Sequence, residues 1–310
     1  MLKNVLKKKF LVSITAVFIL LIIFAVSKEP ISFKEELTYA SDNVKVSNIY
    51  LLDGYQFVSL TNIGLTKEEV VDKAKEIVDI LIQDGIGESK IPSGFKSIIN
   101  SETKLNKITY KDGILKLDFS KSLLDTKEEY EIKIIEALVY SLTSIDGVKG
   151  ITILVDGKVL SELPKSKVKL PKILDKSFGI NKNYNLKNLE NVSKVTIYYI
   201  NKYNDSYYYV PVTKYVNNDE EKVNVIIEEL KDNNYYLSGL MSFMNSNTNL
   251  IDTSIEKNEI SLNFDKNIYS DQDSKEVLKE VISTINLSIE ATYGIDSISY
   301  MVESEPLKTN

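Results

Sequence analysis

The sequence predicts an α+β fold of the α/β-sandwich kind: two tandem small domains, each a mostly antiparallel or mixed sheet packed by two helices. Three observations predict it. An order of strand, strand, helix, hairpin, helix and strand runs twice along the chain. The apolar residues of the hairpin's second strand recur at a single offset, Leu115, Leu117 and Phe119 against Ile260, Leu262 and Phe264. A glycine and a closing apolar run follow the last helix of each copy, Gly147 and Gly294, with a two-residue insertion between them.

The first copy opens with a β-rich run over residues 46–52, a turn at Asp53-Gly54 and a second strand over 55–60. The spacing of Val70, Val71, Ala74, Ile77, Val78, Leu81 and Ile82 predicts a helix over 67–83 with one apolar face. Thr66 and Glu69 have the spacing of a capping box. A hairpin follows through Lys111-Asp112-Gly113, and its second strand alternates apolar and polar residues as a half-covered sheet requires. A second helix starts at the box Thr126–Glu129 and buries Ile135, Leu138, Val139 and Leu142; residues 151–155 close the copy.

The second copy places strands at 195–200 and 207–212 and a helix carrying Val223, Ile226, Ile227 and Leu230 behind the box Asn218–Glu221. Its hairpin turns at Lys257-Asn258. Its last helix, behind Asp273–Glu276, carries Leu278, Val281, Ile282, Ile285 and Ile289, and its closing strand spans 295–302. The expected organisation is therefore an amino-terminal segment 1–27, a spacer 28–45, a first domain 46–157, a Lys/Asn-rich linker 158–194, a second domain 195–303 and a tail 304–310.

Composition narrows the function classes. The 310 residues carry a formal net charge of −6 and lack His, Cys and Trp. The acidic balance argues against nucleic acid, which calls for a basic stripe. Without His or Cys there is no Ser–His or Cys–His nucleophile pair, no thiolate or imidazole metal site and no disulfide. Carboxylates, Lys and Tyr remain as potential catalysts, but no catalytic, cofactor-binding or metal residue is expected. Residues 10–27 are uncharged and apolar behind Lys3, Lys7, Lys8 and Lys9. That length suits a membrane-spanning anchor better than a signal-peptide core, with the lysines on the cytoplasmic side. Cleavage near Ser27 is the alternative, and both readings export the rest of the chain.

Apparent chemistry has plainer readings. The pairs Glu68-Glu69, Glu128-Glu129 and Glu220-Glu221 fall in expected first helical turns, where negative charge favours the helix dipole. Asp271, Asp273 and Glu276 lack the twelve-residue calcium-loop frame. The tyrosines crowd the second copy. Tyr207, Tyr208, Tyr209, Tyr235 and Tyr236 are interface candidates, because Tyr is enriched in protein interfaces; a sheet or core role stands beside that reading, because Tyr also favours strands.

The segments Ile91-Pro92-Ser93-Gly94, Lys116-Leu117-Asp118-Phe119-Ser120 and the closing run 148–157, in this order around a helix ending Leu142-Thr143, resemble the GerM domain of spore-forming bacteria. The second copy fits more loosely, with Leu262-Asn263-Phe264-Asp265 and Glu303-Ser304 at the matching places. The resemblance implies a sporulation and germination protein with tandem domains, similar to ring-building domains of secretion machines and acting between mother cell and forespore. It brings no catalytic residues. Better-known members resemble lipoproteins tethered through a Cys; this chain has none, so its tether must be the apolar run 10–27. The expectation is a non-enzymatic, single-pass membrane scaffold that forms a homo-oligomer or joins sporulation envelope proteins. A cell-wall ligand-binding module is the alternative, and a carboxylate-dependent wall hydrolase stands behind both. No cofactor, nucleic acid or small-molecule ligand is expected.

Overall fold

In the first repeat, the hydrophobic alternation and helical stripe become β1 (Val46–Asp53), β2 (Val58–Gly64), α1 (Val70–Leu81), β3 (Phe95–Lys96), β4 (Leu105–Lys111), β5 (Ile114–Phe119), α2 (Glu128–Leu142), β6 (Gly150–Val155) and β7 (Lys158–Val159). A short β8 (Asn183–Asn185) leads to the second repeat. It contains β9 (Val192–Tyr203), β10 (Ser206–Asn217), α3 (Lys222–Lys231), β11 (Leu250–Glu256), β12 (Glu259–Phe264), α4 (Lys279–Tyr293), β13 (Ser297–Val302) and β14 (Glu305–Pro306). The computed structural model describes residues 46–218, 220–232, 239–256, 258–295 and 297–307. The expected anchor and spacer lie outside the described residues. Among the described residues, no helix is long and apolar enough to cross a membrane.

The fold class is the expected one, and each hairpin sheet is mixed. β4 and β5 pair antiparallel, while β5 and β6 pair parallel, because α2 carries the chain back to the end where β5 began. The second repeat does the same with β11, β12, α4 and β13. The two small sheets have the orders β4-β5-β6-β7 and β11-β12-β13-β14. The paired strands β1–β2 and β9–β10 do not form two separate sheets. They join in a single six-stranded sheet in which β2 meets β10 antiparallel at Leu60 and Tyr209.

Helix starts depart from the sequence expectation. None of the four boxes forms: Glu69, Lys127, Glu221 and Leu278 occupy the N-cap positions without a side-chain cap bond. Thr66 instead gives its N–H and hydroxyl to the carboxylate of Glu76, which also takes the Lys67 N–H and pairs with Lys90. The N–H groups of Ser166 and Lys165 are held by Glu131 in the first turn of α2. Asn218 and Asp271 each accept the N–H two residues on, at Glu220 and Asp273, so they make local turns ahead of later helix starts.

Residues 158–194 are not a solvated linker. Leu163, Leu170, Leu174 and Ile180 are buried in the first repeat's core. Leu174 and Ile151 exchange both backbone hydrogen bonds at 2.8 Å, and β8 pairs parallel with β10. Most lysines of this stretch are exposed while widely spaced apolar residues anchor it, a pattern too sparse for either regular period to reveal.

Candidate functional site at the junction of the repeats

Equivalent residues of the two repeats meet at the junction. In each repeat, a serine of the last helix accepts the N–H of a tyrosine on the first strand: Ser141 from Tyr50 at 2.9 Å, and Ser288 from Tyr198 at 2.8 Å. The two tyrosine hydroxyls then bond each other at 2.7 Å. Contact between equivalent residues, with equivalent strands β2 and β10 running antiparallel, is the mark of an internal two-fold relation. Burial raises both phenols above the usual tyrosine range, so they stay neutral and share one hydrogen bond. Tyr140 packs edge-on to Tyr50 at 5.3 Å and gives its hydroxyl to the Lys176 carbonyl.

A second cluster sits at the β1–β2 turn. The buried Asp53 carboxylate accepts the N–H groups of Tyr55 and Phe57 on one oxygen, and the hydroxyls of Ser59 and Tyr208 on the other, all within 3.0 Å. Three of these donors belong to the first repeat; the Tyr208 hydroxyl is the second repeat's contribution. Burial and the facing carboxylate both raise the Tyr208 phenol, which holds its proton on the donor. Its ring packs edge-on to Phe95 at 4.9 Å, and Phe95 touches the cores of both repeats.

Asn181 makes the third junction contact. Its backbone has a φ of +44°, a conformation Asn tolerates better than most residues. Its side-chain oxygen accepts the Val58 N–H at 3.0 Å, and its side-chain nitrogen donates to the carbonyls of Val58 and Pro211. Pro211 has no N–H, so β10 cannot continue its ladder with β2 there. The carboxamide stands in for the missing backbone group and bridges the strands.

Beside Asn181, Glu136 on α2 accepts the Asn181 N–H at 3.0 Å and lies 3.5 Å from the Lys182 ammonium. Burial pushes the Glu136 carboxyl up to about 7 against the pull of Lys182, the Asn181 N–H and Lys133. Lys182 is lowered by burial and also sits 3.5 Å over the Phe178 ring. Lys133 donates to the Gln56 carbonyl at 2.6 Å. These groups edge an open cleft of about 820 Å³ between the repeats, lined also by Tyr55, Phe57 and Tyr184.

The interface candidates are thus placed individually. Tyr208 is 6% exposed and faces the first repeat, so it offers no surface to another protein. Tyr209 packs partly buried against the first core and pairs with Leu60. Tyr207, on the face of β10 opposite Tyr208, stands edge-on to Phe243 at 5.3 Å. Tyr235 and Tyr236 lie outside the described residues. For Tyr208 and Tyr209 the interface is internal, because β10 completes the sheet that β1 and β2 begin. The acidic pairs flank helix starts. Among the described residues, no group of three His, Cys, Asp or Glu is placed to hold a metal ion.

Sequence reasoning took Asp53 as a turn residue and did not single out Tyr50, Glu136, Asn181, Lys182 or Tyr198. The available signal was the matched placing of Tyr50 and Tyr198 near the start of each copy, each with a serine, Ser141 or Ser288, near the end of the last helix.

Fold and junction together define a tandem α+β repeat protein whose copies are fused edge to edge through equivalent strands. The family follows: residues 48–161 and 196–308 each match the family described as "Germane: Sporulation and spore germination", and the chain belongs to it. It is 28% identical over 262 residues to "Spore germination protein GerM" of Bacillus subtilis (strain 168), covering 83% of this chain and 71% of that protein. It is also similar to the solved structure of the "Tandem GerMN domains of the sporulation protein GerM from Bacillus subtilis". That likeness has a TM-score of 0.78 at 27% identity and covers 84% of this chain and 92% of that one.

Proposed function

We propose that this chain is a non-enzymatic scaffold of the sporulation envelope, anchored by residues 10–27 with both repeats extracytoplasmic. There it assembles with itself or with envelope proteins between mother cell and forespore. The junction is the observation that carries this reading. Asp53, Asn181, Tyr50 and Tyr198 have their polar atoms engaged in fusing two repeats into one body. Rigid presentation of surfaces suits a scaffold, and the family description, sporulation and spore germination, supports a setting in sporulating cells. The test is made in sporulating cells. A full-length chain that resists salt extraction from membranes, co-purifies with envelope proteins and leaves a sporulation or germination defect when deleted supports the proposal. A soluble chain shortened near Ser27 overturns the anchor, and a silent deletion overturns the setting. Wall cleavage by the purified chain, lost in Asp or Glu variants, overturns the non-enzymatic reading.

The cleft favours a second reading, a module that binds a wall ligand. It combines aromatic rings with Lys133, Lys182 and a near-neutral Glu136. Saturable binding of wall fragments, weakened at least tenfold by Lys182→Ala, would establish it.

A further inference from the structure

Each small sheet ends on a strand whose outer edge has no strand partner among the described residues: β4 in the first repeat and β11 in the second. The two edges are equivalent in detail. Each pairs inward with a hairpin partner, and each carries a bulge near its start, between Leu105 and Lys107 and between Leu250 and Asp252. Their outward-facing rows match position for position, but the charges invert. Lys107, Thr109 and Lys111 on β4 correspond to Asp252, Ser254 and Glu256 on β11, and all six are exposed. No ion pair among the described residues engages those four charges.

The neighbouring strands reinforce the inversion. Lys116 stands beside Thr109, whereas Glu259 stands directly opposite Glu256. Two like charges opposite each other weaken a strand pair unless a counter-charge lies close. Charged edges ordinarily block sheet-to-sheet association. Here they block only like with like: β4 repels β4, and β11 repels β11. An internally two-fold molecule with two identical edges would pair each edge with its own kind. The inverted charges remove that option and leave β4 against β11.

We propose that β4 of one copy pairs antiparallel with β11 of the next, Thr109 opposite Ser254, Lys107 opposite Glu256 and Lys111 opposite Asp252. This proposal rests on the self-assembling form of the scaffold reading and names the surface it uses. The contact is heterologous, so copies add head to tail into a closed ring or an open filament. The assembly weakens with salt, because the pairs are exposed.

The chain has no cysteine, so introduced cysteines report this contact alone. Opposed strand residues lie within the Cα separation a disulfide spans. Full-length chain carrying Thr109→Cys and Ser254→Cys, in detergent under oxidising conditions, should give a ladder of cross-linked multimers. A mixture of the two single variants should stop at the dimer, and each single variant alone should stay uncross-linked. In the double-cysteine chain, Lys107→Glu with Lys111→Glu should reduce the ladder at least tenfold; adding Asp252→Lys and Glu256→Lys should restore it. Sedimentation of the unmodified chain separates the failures. Oligomers without a 109–254 cross-link overturn this edge pairing and leave self-assembly standing. A chain monomeric at every concentration overturns both. Cross-linking of Thr109→Cys to itself overturns the charge argument.

Discussion

At the scale of single residues, the junction depends on side chains that replace or terminate backbone hydrogen bonds. Asn181 satisfies Val58 and Pro211 where a strand ladder is interrupted. Asn181→Ala leaves those groups without their partner and should cost about 2–4 kcal/mol in urea unfolding. Asn181→Asp sets a carboxylate against two carbonyl oxygens, so its loss should exceed that of the alanine variant above the carboxylate range. Glu136 makes a separate, pH-dependent prediction. Its folded pKa of about 7 lies above the ordinary 4.5. Between those values the folded chain binds more protons than the unfolded chain, so the Glu136 contribution to stability falls as pH rises from 4.5 to about 7 and is flat above. Glu136→Gln removes that fall. The variant should gain about 3 kcal/mol relative to the native chain between about pH 4.5 and pH 8, read from paired denaturation curves. A difference independent of pH would show that Glu136 ionises normally.

At the scale of elements, the alternation of the hairpins and the apolar stripe of each helix were legible because both face one core. Val223, Ile226, Ile227 and Leu230 are all buried on α3 as their spacing requires. Helix starts were not legible. A Thr or Asp followed three residues later by Glu says nothing of whether a carboxylate from elsewhere, such as Glu76, will take the same N–H. The connecting segment was also misread, because its Lys-rich composition outweighs four scattered anchors. Leu174→Ala tests its status: a solvated linker would tolerate it, whereas a packed strap should lose about 2–5 kcal/mol, as Leu138→Ala in the core of α2 should. Limited proteolysis should likewise spare the segment between Leu163 and Ile180.

At the scale of the whole molecule, one six-stranded sheet spans both repeats, so neither repeat has a complete boundary of its own. Removing the second repeat exposes the edge of β2 and the Tyr50 hydroxyl and takes away the fourth donor to Asp53. The repeats should therefore unfold together. Calorimetry of the full chain should show a single transition over both repeats, and backbone amides near Leu60 and Tyr209 should exchange as slowly as those of the two cores. Two resolved transitions, one for each repeat, would mean that the junction is too weak to couple them.

The sequence by itself determined the duplication, the α+β class, the core faces and the family, because each follows from local periodicity and from order along the chain. Only the tertiary structure decided how the copies relate. Contacts such as Tyr50–Tyr198, Asp53–Tyr208 and Asn181–Pro211 join residues far apart in sequence, and no local pattern encodes which hydroxyl or carboxamide will meet which partner. The same reason turned Tyr208 and Tyr209 from candidates for an outside partner into the seam between two halves of one body.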